Sequence, residues 1–173
     1  MVNHSIRIGQ SGDAGSISRL LQAMFTDVAQ FGGPAVAPDE GAWGALPQTI
    51  TDNLRDPAYR VFLATLPDPD AGPIGLAISH AVTLPRLFQS RIRLQVQALY
   101  VLPSHRRRGI ARQLLIAALH WGAQAGCTEA LLEVTVRNGA QALYRQLGFR
   151  VTELRLLRRL PVREVMAAPS EAG

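Results

Sequence analysis

A chain of 173 residues is long enough for one domain with a buried core and too short for two of ordinary size. Hydrophobic residues make up 47%, yet no apolar run reaches the roughly 18 residues of a membrane span, and the first seven residues carry no apolar signal stretch, so the expectation is a cytoplasmic protein without membrane contact. The net charge of +5 rests on 18 basic residues, all arginine, and favours anionic partners, nucleic acid and phosphate-rich cofactors alike.

In chain order, Ile6 to Ile8 reads as a first strand. Asp13 caps a helix to about Gln30, with Ile17, Leu20, Leu21, Met24, Phe25 and Val28 at helical spacing. Phe31 to Leu46, rich in Gly, Ala and Pro, reads as a loop, and Pro47 to Leu54 as a short helix. Arg60 to Leu66 is a strand, Pro67 to Pro73 a turn, and Ile74 to Val82 the returning strand. Ile92 to Leu102 is the next strand, ended by Pro103. Ile110, Leu114, Leu115, Ala118 and Leu119 stripe a helix to about Ala125, stopped by Gly126. Ala130 to Val136 is an apolar strand, Ala140 to Leu147 a short helix closed by Gly148, and Phe149 to Leu160 one or two final strands. The segment from Val165 on reads as a disordered tail behind a single domain over 1–164. Helices and strands mixed around one core give an α/β or α+β sandwich.

The chemistry concentrates where a strand, a basic loop and a helix meet: Leu99-Tyr100-Val101-Leu102-Pro103-Ser104-His105-Arg106-Arg107-Arg108-Gly109-Ile110-Ala111. A helix start carries backbone N–H groups without intrahelical partners and the positive end of the helix dipole. Gly109 and the small Ala111 let a ligand approach the backbone, and Arg106, Arg107 and Arg108 add charge-assisted donors. Such a terminus suits pyrophosphate. A solvated arginine patch is the competing reading of the same three residues.

This stretch resembles the acetyl-CoA loop of the GCN5-related N-acetyltransferase family, whose pattern is Arg/Gln-x-x-Gly-x-Gly/Ala after a strand ending Tyr-Val-x-Pro. Arg106, Gly109 and Ala111 fit it. Leu132-Glu133-Val134, Asn138 and Ala142-Leu143-Tyr144-x-x-Leu147-Gly148-Phe149 resemble the family's later strand and helix. The likeness is strong over about residues 94–150 and compatible in element order over 5–93. It implies a mixed, mostly antiparallel sheet of six to seven strands with a splayed strand pair, flanked by about four helices. It also implies an acetyl-CoA-dependent N-acetyltransferase acting on a small-molecule amine or a peptide N-terminus.

By that resemblance, Leu99, Tyr100 and Val101 lie along the pantetheine arm, with Gln97 and Ala98 near the acetyl group. The backbone from Arg107 through Ile110 to Ala111 holds the pyrophosphate, and Asn138 contacts the CoA arm. Asn138 precedes Tyr144 by six residues where the family has seven, and a plain turn or cap is its other reading. Tyr144 matches the acid that protonates the departing thiolate; its other reading is a packing residue. The acceptor amine must be neutral, which costs about 4.6 kcal/mol for a lysine-like amine at pH 7. Many relatives carry a carboxylate base on the strand before the loop. Here Gln95-Val96-Gln97-Ala98 has none, so Glu133 or ordered water takes the role.

His4, His80, His105 and His120 lack ligand-like spacing, so no metal is expected. Cys127 reads as a small buried residue, and as the one thiol it cannot form an internal disulfide. Trp43, with Asp39 and Glu40, stands in the loop that lines the acceptor site in the family. The short ending after Phe149 resembles aminoglycoside 6'-N-acetyltransferases, while the Glu133 strand resembles protein N-terminal acetyltransferases. A basic chain with few acidic residues in that loop argues against polycations. The alternatives are a non-catalytic acyl-CoA-binding module and nucleic-acid binding through the arginines, although no stacking aromatics interleave them. A homodimer is left open.

Overall fold

The computed structural model describes residues 3–30, 40–87, 92–135 and 138–153. Apolar, β-branched runs form β1 (Ser5–Ile8), β2 (Tyr59–Thr65), β3 (Pro73–Thr83), β4 (Ile92–Val101) and β5 (Glu129–Leu132). They make one sheet in the order β1-β2-β3-β4-β5. The first four strands pair antiparallel, and β4 pairs with β5 in parallel. The helices are α1 (Ala14–Gln30), α2 (Glu40–Asn53), α3 (Ile110–Gln124) and α4 (Gln141–Gln146). The chain divides into two compact units, Met1–Gln141 and Ala142–Gly173. No helix among the described residues is long and apolar enough to cross a membrane.

Within the first unit the alternation of strand residues sorts side chains onto two faces. Tyr59, Val61, Leu63, Leu76, Ile78, Ala98 and Tyr100 form one core with Ile17, Leu20 and Leu21 of α1 and Ile50 of α2. Phe62, Ala64, Ala77 and Val101 form the other core with Ile110, Leu114 and Ala118 of α3. The parallel β4–β5 connection is α3 itself, as parallel strands require a long crossover.

Several boundaries differ from the sequence reading. Five strands are present among the described residues rather than six to seven. Residues 149–153 form no strand, and the rest of the expected final strands and the 165–173 tail lie outside the described residues. The helix expected to start at Pro47 starts at Glu40 and carries Pro47 in its interior. Its tertiary contacts outweigh the proline's lost hydrogen bond: Trp43 meets Phe25 in a tilted ring contact at 5.8 Å, and Leu46 and Ile50 enter the α1 core. The β5 ladder stops at Leu132, four residues short of Val136. The cap is not Asp13 but Gln10, at the start of a 3-10 turn at Ser11–Asp13 that leads into α1; Asp13 is the third residue of that turn, and its carboxylate reaches back to accept from the Gln10 amide and from Arg7.

The Arg7 guanidinium and the Gln10 amide hold the Asp13 carboxyl below its ordinary range. A depressed folded value means the stabilisation is present at neutral pH and is lost as pH falls through that value. The acid side of the stability–pH curve should therefore become shallower in Asp13→Asn, read by urea melts from pH 7 to pH 3. Packing gives a second expectation. A Cβ on Gly75 would stand 2.8 Å from the Tyr100 carbonyl oxygen, whereas one on Gly122 would meet only the end of the Leu94 side chain. Gly75→Ala should cost about 1–3 kcal/mol by urea midpoint at unchanged m-value, and Gly122→Ala less, since a side chain yields more readily than backbone.

Candidate active site

The parallel ladder between β4 and β5 runs over only four pairs, Arg93↔Glu129 to Val96↔Leu132. Beyond it β4 continues to Val101 with no strand on that edge among the described residues. The strand is kinked at the same place: Ile78 pairs with Ala98 and Ser79 with Val96, so Gln97 is an extra residue, a β-bulge. Past the bulge, the Leu102 amide donates to the Ile74 carbonyl at 2.9 Å, which places the peptide groups of Tyr100 and Leu102 toward β3. Alternation then turns the N–H and C=O of Leu99 and Val101 to the open edge. The expected splayed pair is thus present, and its open edge is lined by the backbone of two of the residues singled out from the sequence.

The loop that follows is shaped by two left-handed residues. A 3-10 turn, Pro103–His105, ends β4; Arg107 then has φ of 65° and Gly109 φ of 80° before α3 begins. The first α-helical bond of α3 is from the Gln113 amide to the Gly109 carbonyl. The amides of Gly109, Ile110, Ala111 and Arg112 therefore have no carbonyl of their own helix to bind. Arg107, Arg108 and Gly109 are exposed, while Ile110 is buried against the sheet and fixes the helix start. A left-handed arginine costs about 1–2 kcal/mol, a strain of the kind that concentrates at ligand-binding loops.

Arg106 has a different task from its two neighbours. Its Nε donates to the Val101 carbonyl at 2.9 Å, its Nη2 pairs with the Asp27 carboxylate, and its guanidinium stacks 5.4 Å above the Tyr100 ring. The Tyr100 hydroxyl donates to the same Asp27 oxygen at 3.0 Å. Burial, and then the hydrogen bond to Asp27, push the Tyr100 phenol above its ordinary value, which keeps it a donor. The side chains of Arg106 and Tyr100 thus tie the loop to β4 and to the last turns of α1. Asp27 was not singled out from the sequence. Its signal was a carboxylate three residues past Met24, on the apolar side of α1.

The remaining candidates are placed as follows. Glu133 is the first residue past β5 and is exposed. Asn138 Oδ1 accepts from the Ala140 amide at 2.9 Å and its backbone amide donates to the Thr135 carbonyl, the cap geometry that the sequence held open. Tyr144 belongs to the second unit, where its ring meets Phe149 edge-on at 6.1 Å and burial raises its phenol. Trp43 is on α2 against Phe25 rather than in a loop, and Asp39 lies outside the described residues. Cys127 is half-buried rather than buried. Among the described residues no group of three His, Cys, Asp or Glu side chains is placed to hold a metal.

Residues 19–149 match the family described as "Acetyltransferase (GNAT) family". Over 59 residues the chain is 39% identical to aminoglycoside N(6')-acetyltransferase type 1 of Salmonella typhimurium, a match covering 34% of this chain and 41% of that relative. Aminoglycoside N-acetyltransferase AAC(6')-Iy, solved with CoA, shares the fold with a TM-score of 0.70 at 24% identity over 91% of this chain and 95% of that one. A GCN5-related N-acetyltransferase from Ralstonia eutropha JMP134 does so with a TM-score of 0.72 at 22% identity, over 91% and 99% of the two chains.

The shared carboxylate makes the Asp27, Tyr100 and Arg106 contacts interdependent. Tyr100→Phe should cost about 1 kcal/mol. Combined with Asp27→Ala in a double-mutant cycle, it should show a coupling of about 0.5–1 kcal/mol by chemical denaturation.

Proposed function

The chain belongs to the acetyltransferase (GNAT) family, and from that premise we propose that it transfers an acetyl group from acetyl-CoA to the primary amine of a small molecule. The observation that carries the reading is the open edge of β4 beside the Gln97 bulge, running directly into the left-handed turn and the start of α3. An amide-bearing pantetheine arm fits a strand edge that offers the N–H and C=O of Leu99 and the N–H of Val101, whose carbonyl is taken by Arg106. A pyrophosphate fits the amides from Arg107 to Ala111, with the exposed Arg107 and Arg108 adding charge. Arg106 acts in this reading through the loop it anchors, with Asp27 as a positioning residue. The family match crosses the boundary between the two compact units, which supports one functional domain over 1–164.

In the proposed reaction the amine lone pair attacks the thioester carbonyl carbon, the C–S bond breaks, the thiolate takes the phenolic proton of Tyr144, and the proton shed by the acylated nitrogen returns to the phenolate through water. Burial raises that phenol, which keeps it protonated but makes it a weaker acid, so in this reading the proton moves in step with C–S cleavage. The name of the Salmonella relative supports a small amine-bearing acceptor; a peptide N-terminus is the alternative that an acceptor panel separates. The deciding experiment is release of CoA thiol from acetyl-CoA across small amines and peptides. No release with any amine, despite acetyl-CoA binding, would leave an acyl-CoA-binding module.

Acetyl-CoA should raise the melting temperature, by the equivalent of about 2.7 kcal/mol at a hundredfold excess over Kd. Gly109→Val should weaken that shift, because a β-branched residue neither adopts a φ of 80° without strain nor leaves the backbone open to phosphate. Tyr144→Phe should keep acetyl-CoA affinity while lowering turnover roughly 10²-fold or more, with partial recovery for an acyl donor whose thiol is less basic. Wild-type turnover in that variant would assign Tyr144 to packing.

A further inference from the structure

The transfer needs a proton acceptor, since a lysine-like amine is neutral in only about 1 part in 2,500 at pH 7. The two polar residues of β4 next to the opening, Gln95 and Gln97, are uncharged amides. Gln95 stands directly opposite His80 on β3, and His80 directly opposite Tyr59 on β2. Residues opposite one another share a face, and Tyr59 belongs to the core under α1 and α2, so this row crosses that face of the sheet. The His80 ring meets the Tyr59 ring edge-on at 6.1 Å, and its Nε2 lies 3.6 Å from Asp56 Oδ2 in the turn after α2. The imidazole is one-third exposed, so water reaches it.

Strand geometry puts the His80 and Gln97 Cα atoms about 8 Å apart, a gap that an imidazole and bridging water span. The other groups near this row are already committed. Arg55 pairs with Asp52, and Arg93, two register pairs on, pairs with Glu129. Burial raises the Tyr59 phenol, which keeps it neutral. Histidine is the side chain whose ordinary titration lies near neutrality, and it gives back a proton as readily as it takes one.

We propose that His80, oriented by Asp56, takes the proton of the acceptor ammonium, through water, on the face of β4 at the Gln97 bulge. This rests on the acetyl-transfer reading. The N–H bond of the ammonium breaks, its electron pair stays on nitrogen for attack at the thioester carbon, and the proton passes through water to the imidazole and then to bulk solvent. Asp56 is a positioning residue that holds the ring.

The test compares wild type, His80→Gln and Asp56→Asn, with Glu133→Gln as the rival base across the opening. Steady-state kinetics are measured from pH 6 to 9.5 with a strongly basic alkylamine and with a weakly basic amine that is neutral at pH 7. Acetyl-CoA-induced thermal shift reports folding and donor binding for each variant. Expected for His80→Gln is a fall of roughly 10²-fold in kcat/KM at pH 7 with the alkylamine, shrinking as pH rises. The weakly basic amine should be spared, and the acetyl-CoA shift and KM unchanged. Asp56→Asn should show the same pattern, smaller. Wild-type rates in His80→Gln, an equal loss at every pH with both amines, or this pattern in Glu133→Gln instead would overturn the assignment. A wild type that binds no acetyl-CoA and releases no thiol with any amine would overturn the transfer reading itself, and the role of His80 with it.

Discussion

Four register pairs between β4 and β5 govern what the rest of the sheet can do. Parallel strands that stayed paired to their ends would satisfy every peptide group on the β4 edge and leave nothing for a ligand. Here the ladder closes at Val96↔Leu132, while β3 goes on pairing with β4 as far as Gly75↔Val101. One edge of β4 is therefore held rigidly and the other is open over the same residues. Rigid support on one side is what allows a backbone edge without a partner strand to persist on the other, because the strand cannot relax to bond with itself.

The extra residue at Gln97 gives this arrangement its second property. Leu94 packs toward Gly122 of α3, yet Ala98 and Tyr100, four and six residues later, pack under α1 and α2. Strict alternation would keep all three on one face; the bulge exchanges the faces between them. As a result Tyr100 is directed to Asp27 of α1, where it shares a carboxylate with Arg106. The loop after β4 is thereby tied to a helix some 80 residues earlier in the chain. The same face carries apolar side chains in its middle and the Tyr59–His80–Gln95 row at the end nearest Asp56.

Division of labour within Arg106-Arg107-Arg108 follows from these constraints. One guanidinium is taken up by Asp27, the Val101 carbonyl and the Tyr100 ring, and two remain exposed beside a left-handed turn. A run of identical residues thus contains one structural member and two that face solvent. Neither composition nor spacing separates them, because the difference lies in what approaches from α1.

The sequence by itself determined the local features. The periodicity of α1 and α3, the stop at Gly126, the turn at Pro103 and the loop-to-helix junction at Gly109 all depend on φ preferences and side-chain spacing within a few residues. The open pair of strands was legible only through a resemblance to relatives, and five of the expected six to seven strands lie among the described residues. Tertiary structure alone decided where the β4–β5 ladder stops, that the bulge falls on Gln97, that α2 begins at Glu40 through its proline, and that Asp27 captures Arg106 and Tyr100. It alone also brought Asp56, Tyr59, His80 and Gln95 into one row, from segments whose spacing showed nothing. The physical reason is common to all of these: a hydrogen bond or ion pair between distant segments depends on which side chain arrives opposite which, and register between strands leaves no period in the sequence of either one.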